Sequence, residues 1–344
     1  MRQRITVLAQ AGALCIGLAQ NAIACAFHGY TPDPTLVDIL MGSEHVILAR
    51  HDPSNPRRYT PVEALIGTTD AVDIPIPVDA DTRSRLQRNP GDAVLFARDG
   101  PYGPWVRLAV LDPGYRAVVD TVVARQTAWS LGNDKDRFQI FAARVNDRNP
   151  EIRRLALLEL DRADYGLLRD LKLPKVSRLQ QDLETGDPDL RPIRILLAGL
   201  SRDKRLVPAL SAGLDAAARR DVPYLGAYAT ALIELGGAEA VSHILNRHLA
   251  PAALSIETRE KIIEALAIHS QTGDLKTKRG IRRGVADLLS QSPELAGAFA
   301  RQFGFRSDWS LSDPLRRAAA ARPPTAIADV FAVNQYIGIA DRAD

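Results

Sequence analysis

The chain is 344 residues long, 46% of them hydrophobic and 25% charged, with 44 Lys and Arg against 41 Asp and Glu for a formal net charge of +3. That near balance excludes a dedicated nucleic-acid binder, which carries a strong basic excess, while the length accommodates two domains. With only Cys15 and Cys25 present, no disulfide framework is available, and stability must come from packing.

The first segment, 1–24, reads as a secretory signal peptide. Arg2 and Arg4 give a positive start, Ile5 to Ala19 carries no charge, and Ala22-Ile23-Ala24 offers the small side chains a signal peptidase accepts, so the expected cut falls between Ala24 and Cys25. An uncleaved anchor is the alternative, but Gln10, Gly12, Gly17, Gln20 and Asn21 dilute the apolar stretch. Cleavage leaves 320 residues, lowers the charge to +1 with the loss of Arg2 and Arg4, and sends the chain to the periplasm or cell envelope.

Cys15 leaves with the signal, so the mature chain keeps Cys25 alone, at its new amino terminus. An α-amine, a thiolate and the His28 imidazole within four residues form an incomplete copper or zinc site, which His45 or His51 would have to complete. Ala22-Ile23-Ala24-Cys25 also resembles the box that ends bacterial lipoprotein signals. Acylation of Cys25 would consume both amine and thiol, exclude the metal, and provide the one membrane attachment. The third reading makes Cys25 and His28 ordinary packed or solvated residues.

From 25 to 112 the apolar residues come in short runs: 45–49, 59–66, 72–78, 93–96 and 105–110. Turn-rich clusters such as DPSNP at 52–56, NPGD at 89–92 and DGPYGP at 99–104 separate them. This spacing predicts a small β domain, with one helix at 79–87 capped by Asp81 or Thr82. SEHVILARH (43–51), YTPVEALIG (59–67) and PGDAVLFAR (90–98) resemble the pattern of netrin or tissue-inhibitor-like domains. That resemblance implies an OB-type barrel, although the disulfide-bonding cysteines of those domains are missing.

Helical spacing returns at Tyr115–Thr127, giving a connecting helix over 113–134. Over 135–312 the period stays helical. Phe138, Phe141, Ala142 and Val145 share one face, and Ile152, Leu155, Ala156, Leu158 and Leu160 follow Pro150, which suits a first helical turn. An offset of 35 places Leu200 on Leu235, Leu206 on Val241 and Leu210 on Leu245, with a helix-turn-helix between; a looser third unit begins near Glu257. Units of this size cannot bury their own apolar faces and must stack. DRNPEIRRLALLELDR (147–162), with Asp147, Pro150, Ile152, Arg153, Ala156 and Leu160, resembles the second helix of HEAT-type repeats, and GDPDLRPIRILLAGL (186–200) echoes it. The resemblance covers about 135–300 and implies an α-solenoid that offers an interaction surface. The expected class is α+β: a β domain, then a HEAT-like solenoid. Residues 313–344 form a cap and tail, with ARPPT (321–325) as a break and FAVNQYIGI either docked back or extended.

Catalytic patterns are missing. Gly199-Leu200-Ser201-Arg202-Asp203 lacks the closing glycine of a nucleophile elbow, and there is no GxxxxGK, GxGxxG or HExxH. His243 and His248, five apart, fall about 140° apart on an α-helix and share no face, and His269 suits a helix end. Asp134 with Asp136, and Glu159 with Asp161, read as caps or solvated faces. Arg279, Arg282 and Arg283 share a face at i, i+3 and i+4, with Lys276 and Lys278 beside them, forming a candidate patch for an anionic partner or a solvated outer face. The expected function is that of an exported envelope scaffold binding a protein partner, with copper or zinc handling through Cys25 and His28 as the alternative.

Overall fold

The computed structural model describes residues 33–175, 181, 183 and 187–343. The chain forms two units, one of residues 33–160 with 171–174, the other holding the remaining described residues. A small antiparallel sheet lies near the amino terminus and the remainder is mostly helical, an α+β layout.

In the first unit, α1 (Leu36–Gly42) precedes β1 (His45–His51) and β2 (Tyr59–Ile66), and α2 (Ala80–Arg88) precedes β3 (Ala93–Arg98) and β4 (Val106–Leu111). Strand order is β2-β1-β3-β4, antiparallel throughout, with Ile47 opposite Phe96 and Leu95 opposite Ala109. Composition explains the order. HVILARH and AVLFAR place four consecutive buried residues in β1 and β3, as central strands covered on both faces require, whereas β2 and β4 keep exposed positions and form the edges. One face builds a core from Ile47, Ala49, Tyr59, Ile74, Val78, Leu86, Val94, Phe96 and Trp105.

Three expectations need correction here. The strands form an open sheet rather than a closed barrel, because β2 and β4 do not pair with each other. The 72–78 run is irregular rather than a strand: Pro75 and Pro77 have no N–H to offer a ladder, and Ile74 and Val78 simply plug the core. The cap of α2 is Asp79, whose carboxylate accepts from Thr82 N and Thr82 Oγ1, two and three residues before the expected Asp81 or Thr82.

The unit continues through α3 (Pro113–Ser130), α4 (Asp134–Ala142) and α5 (Pro150–Leu160). Asp112 caps α3 and Pro113 opens it, and Tyr115, Val118, Val119 and Val122 bury its inner face as it packs across β2 and β4. Arg137 of α4 lies between Glu159 at 2.7 Å and Asp38 at 2.8 Å. Glu159 is therefore no solvated face residue. It is fully buried, and burial pushes its carboxyl up against the pull of Arg137.

The second unit begins with α6 (Tyr165–Asp170). It continues as α7 (Arg191–Leu200), α8 (Val207–Arg220), α9 (Leu225–Ile244), α10 (Ile256–Thr272), α11 (Leu275–Gln291), α12 (Ala296–Phe305), α13 (Ser312–Ala321) and α14 (Ile327–Ala343). Gly237 breaks α9 at φ 54°, ψ −136°, a conformation open to glycine at little steric cost. Arg202 (φ 60°), Asp221 (φ 50°) and Ser307 (φ 54°) also turn left-handed between helices, and of these positive-φ positions Arg202, Gly237 and Ser307 lie 35 and 70 residues apart. Helices before the turns pack in succession, α7 on α9, α9 on α10, α10 on α12 and α12 on α14; those after the turns follow suit, α9 on α11 and α11 on α13. Gly199 lies so close to Ala231 that a Cβ would collide with its backbone. FAVNQYIGI docks back as part of α14. Among the described residues, no helix is long and apolar enough to cross a membrane.

Candidate functional site

A cavity of about 720 Å³ opens in the second unit between α12, α14, the loop at Trp309 and Glu264 of α10. Two glycines on α12, seven residues apart, let α14 come close: a Cβ on Gly297 would strike Asp329, and one on Gly304 would press on the Tyr336 ring. α14 buries Val333, Tyr336 and Ala340 at helical spacing and leaves Ile327 and Phe331 exposed. Tyr336 is the pivot. Its hydroxyl donates to the Asp308 carbonyl and accepts from Leu311 N, while its ring meets Trp309 edge-on at 5.0 Å. Phe305 and Phe331 complete an aromatic wall, 59% and 67% exposed, so the cavity opens onto apolar surface.

Charged groups border the same space. Arg301 pairs with Glu260 at 2.6 Å and with Asp329, and Gln302 Nε2 donates to Glu260 at 3.0 Å. Arg306 donates to Glu264 at 2.9 Å. Burial pushes the Glu264 carboxyl up to about 7 against the pull of Arg306. Both arginines are thus occupied by carboxylates, and Glu264 stands ready to donate or accept a hydrogen bond near neutrality. The lining holds no serine, cysteine or histidine. A concave, largely apolar space with few polar groups is suited to binding.

Cys25, His28 and the Ala24 cut site lie outside the described residues. His45 and His51 occupy opposite ends of β1, roughly 20 Å apart at 3.3 Å per residue, so one metal cannot take both. Among the described residues, no group of three or more His, Cys, Asp or Glu is arranged to hold a metal ion. Arg279, Arg282 and Arg283 are all exposed on α11. Ser201 Oγ donates to Ala198 O at 2.6 Å, the ordinary bond of a helix end.

His243 and His248 do share a face, contrary to the α-helical expectation. Leu245–Leu249 form a π-turn closed by Ala250 N to Leu245 O at 2.8 Å, and residues five apart then stack, bringing the rings to 6.2 Å. His248 Nε2 sits 3.4 Å from Asp215 Oδ1, and burial pushes the imidazole down. His269 is buried in α10 with Nε2 3.1 Å from Thr230 O, and burial pushes it down to about 4. Beside it, Glu234 accepts from Tyr165 Oη at 2.9 Å and pairs with Arg169 at 3.1 Å. Tyr165 and His269 are almost completely enclosed, so this network fastens α6, α9 and α10 together.

Compared with known protein families, curated proteins and solved structures, the chain finds no match.

Proposed function

We propose that the chain is an exported binding scaffold of the cell envelope. In this reading a small β module precedes HEAT-like helix pairs, and the cavity between α12 and α14 receives an apolar segment of a partner protein. The aromatic rim carries the reading: Phe305 and Phe331 stand exposed beside Trp309 and Tyr336 around a space of about 720 Å³. Exposed aromatics at a pocket are the usual anchors of protein interfaces. A stacked-repeat origin is supported by the left-handed turns at Arg202, Gly237 and Ser307 and by the two successions of packed helices. A helix of the stack with apolar residues left exposed is where it would meet its partner.

The test is a photo-crosslinking amino acid at Phe331, with Tyr102 as the exposed control, in cells that export the protein. The reading expects adducts from position 331 that digest to one polypeptide, joined through an apolar stretch. Adducts with lipid or small molecules alone, or the same products from both positions, would overturn it.

Copper or zinc handling through Cys25 and His28 is the alternative role for the mature terminus. Intact mass of the exported protein decides there: a diacylglyceryl increment on Cys25 removes the metal reading, and one bound copper lost on His28→Ala supports it.

A further inference from the structure

Arg169, Arg247, Arg301, Arg306 and Arg316 of the second unit are paired with carboxylates. α11 carries a cluster of cations that are not. Lys276, Arg279, Arg282 and Arg283 are exposed, and among the described residues none makes an ion pair; Arg279 Nε donates only to Leu275 O within the helix. The acidic groups nearby are not ion-paired with these cations: Asp274 is spent capping the helix through Thr277 N, Arg282 acts on Asp308 without pairing, and Asp287 lies one turn beyond Arg283, at i+4. Leu275, 76% exposed, shares the face at i, i+4, i+7 and i+8 with Arg279, Arg282 and Arg283. Four cations and one leucine thus occupy two turns, about 12 Å of convex helix surface.

We infer that this face of α11 docks on an anionic phospholipid surface. Guanidinium groups match phosphate oxygens in bidentate geometry. A row of exposed cations spread along one helix flank suits an extended field of headgroups rather than one enclosed free phosphate. The leucine amid the cations has an apolar interface to enter there, which an acidic peptide would not require.

The test is sedimentation of the full exported chain with phosphatidylglycerol vesicles, with phosphatidylcholine vesicles, and with polyglutamate as soluble competitor. The surface predicts binding to phosphatidylglycerol that weakens with salt and falls about 100-fold in the variant combining Arg279→Gln, Arg282→Gln and Arg283→Gln. A control combining Arg57→Gln, Arg88→Gln and Lys135→Gln removes equal charge and should bind as wild type. All six positions are exposed or at the helix surface, and matched circular dichroism verifies folding. Equal binding to both vesicles, an equal loss in the control, or binding to polyglutamate without vesicle binding would overturn the inference. Competition by millimolar inorganic phosphate at constant ionic strength would also overturn it, by indicating a discrete phosphate site.

Discussion

Replacing Glu264 by Gln separates the titration of the cavity from its shape. The carboxyl ionises near 4.5 when unfolded and near 7 in the fold, because burial outweighs the pull of Arg306, and its side chain is only 14% exposed. Between those values the folded protein keeps a proton that the unfolded chain has released, so stability falls as pH rises through the window. At 1.36 kcal/mol per pH unit, the fall is on the order of 3 kcal/mol for a titration from 4.5 to about 7. Gln keeps the size and cannot titrate. Urea unfolding of both proteins from about pH 4 to pH 8 should show the variant gaining on wild type by that amount across the window, whatever constant offset follows from losing the bond to Arg306. Curves that run parallel would refute the assignment of a near-neutral carboxyl to this cavity.

Other expectations follow from the same reasoning. His269, pushed down to about 4, should remain neutral by imidazole NMR at pH 5.5 and contribute stability that is lost as pH falls from its unfolded value near 6.5; a midpoint above 6 would contradict its burial. Glu159→Ala leaves Arg137 buried with Asp38 alone and should cost about 3 to 5 kcal/mol in chemical denaturation. Gly237→Ala should destabilise by about 1 to 3 kcal/mol, since its φ and ψ exclude a side chain, whereas Arg202→Gly should stabilise by up to about 1 kcal/mol.

Local chemistry was readable along the chain. The β1 and β3 runs, the helix after Asp79 and the α3 periodicity all emerge from apolar spacing and from turn residues flanking them. Misreadings arose where a second rule competed. The 72–78 run has strand-like apolar residues but two prolines, and the prolines prevail. A period of 3.6 residues per turn separates His243 from His248, and the π-turn suspends that period. Glu159 looked solvated because its partner Arg137 is 22 residues away on another helix. The cavity was invisible for the same reason: Glu264, Phe305, Trp309 and Phe331 belong to separate elements, and none is unusual in its own segment. The one available hint was the pair Gly297 and Gly304, which sit two turns apart on one helix, the spacing that allows close helix approach.

The binding role itself is tested most directly by calorimetry of the exported protein with the partner segment recovered by crosslinking. Insertion into the aromatic cavity predicts one segment per chain, a negative heat-capacity change, and affinity at least about tenfold weaker in Phe331→Asp with Tyr102→Asp unchanged. Equal affinity in wild type and Phe331→Asp would contradict it.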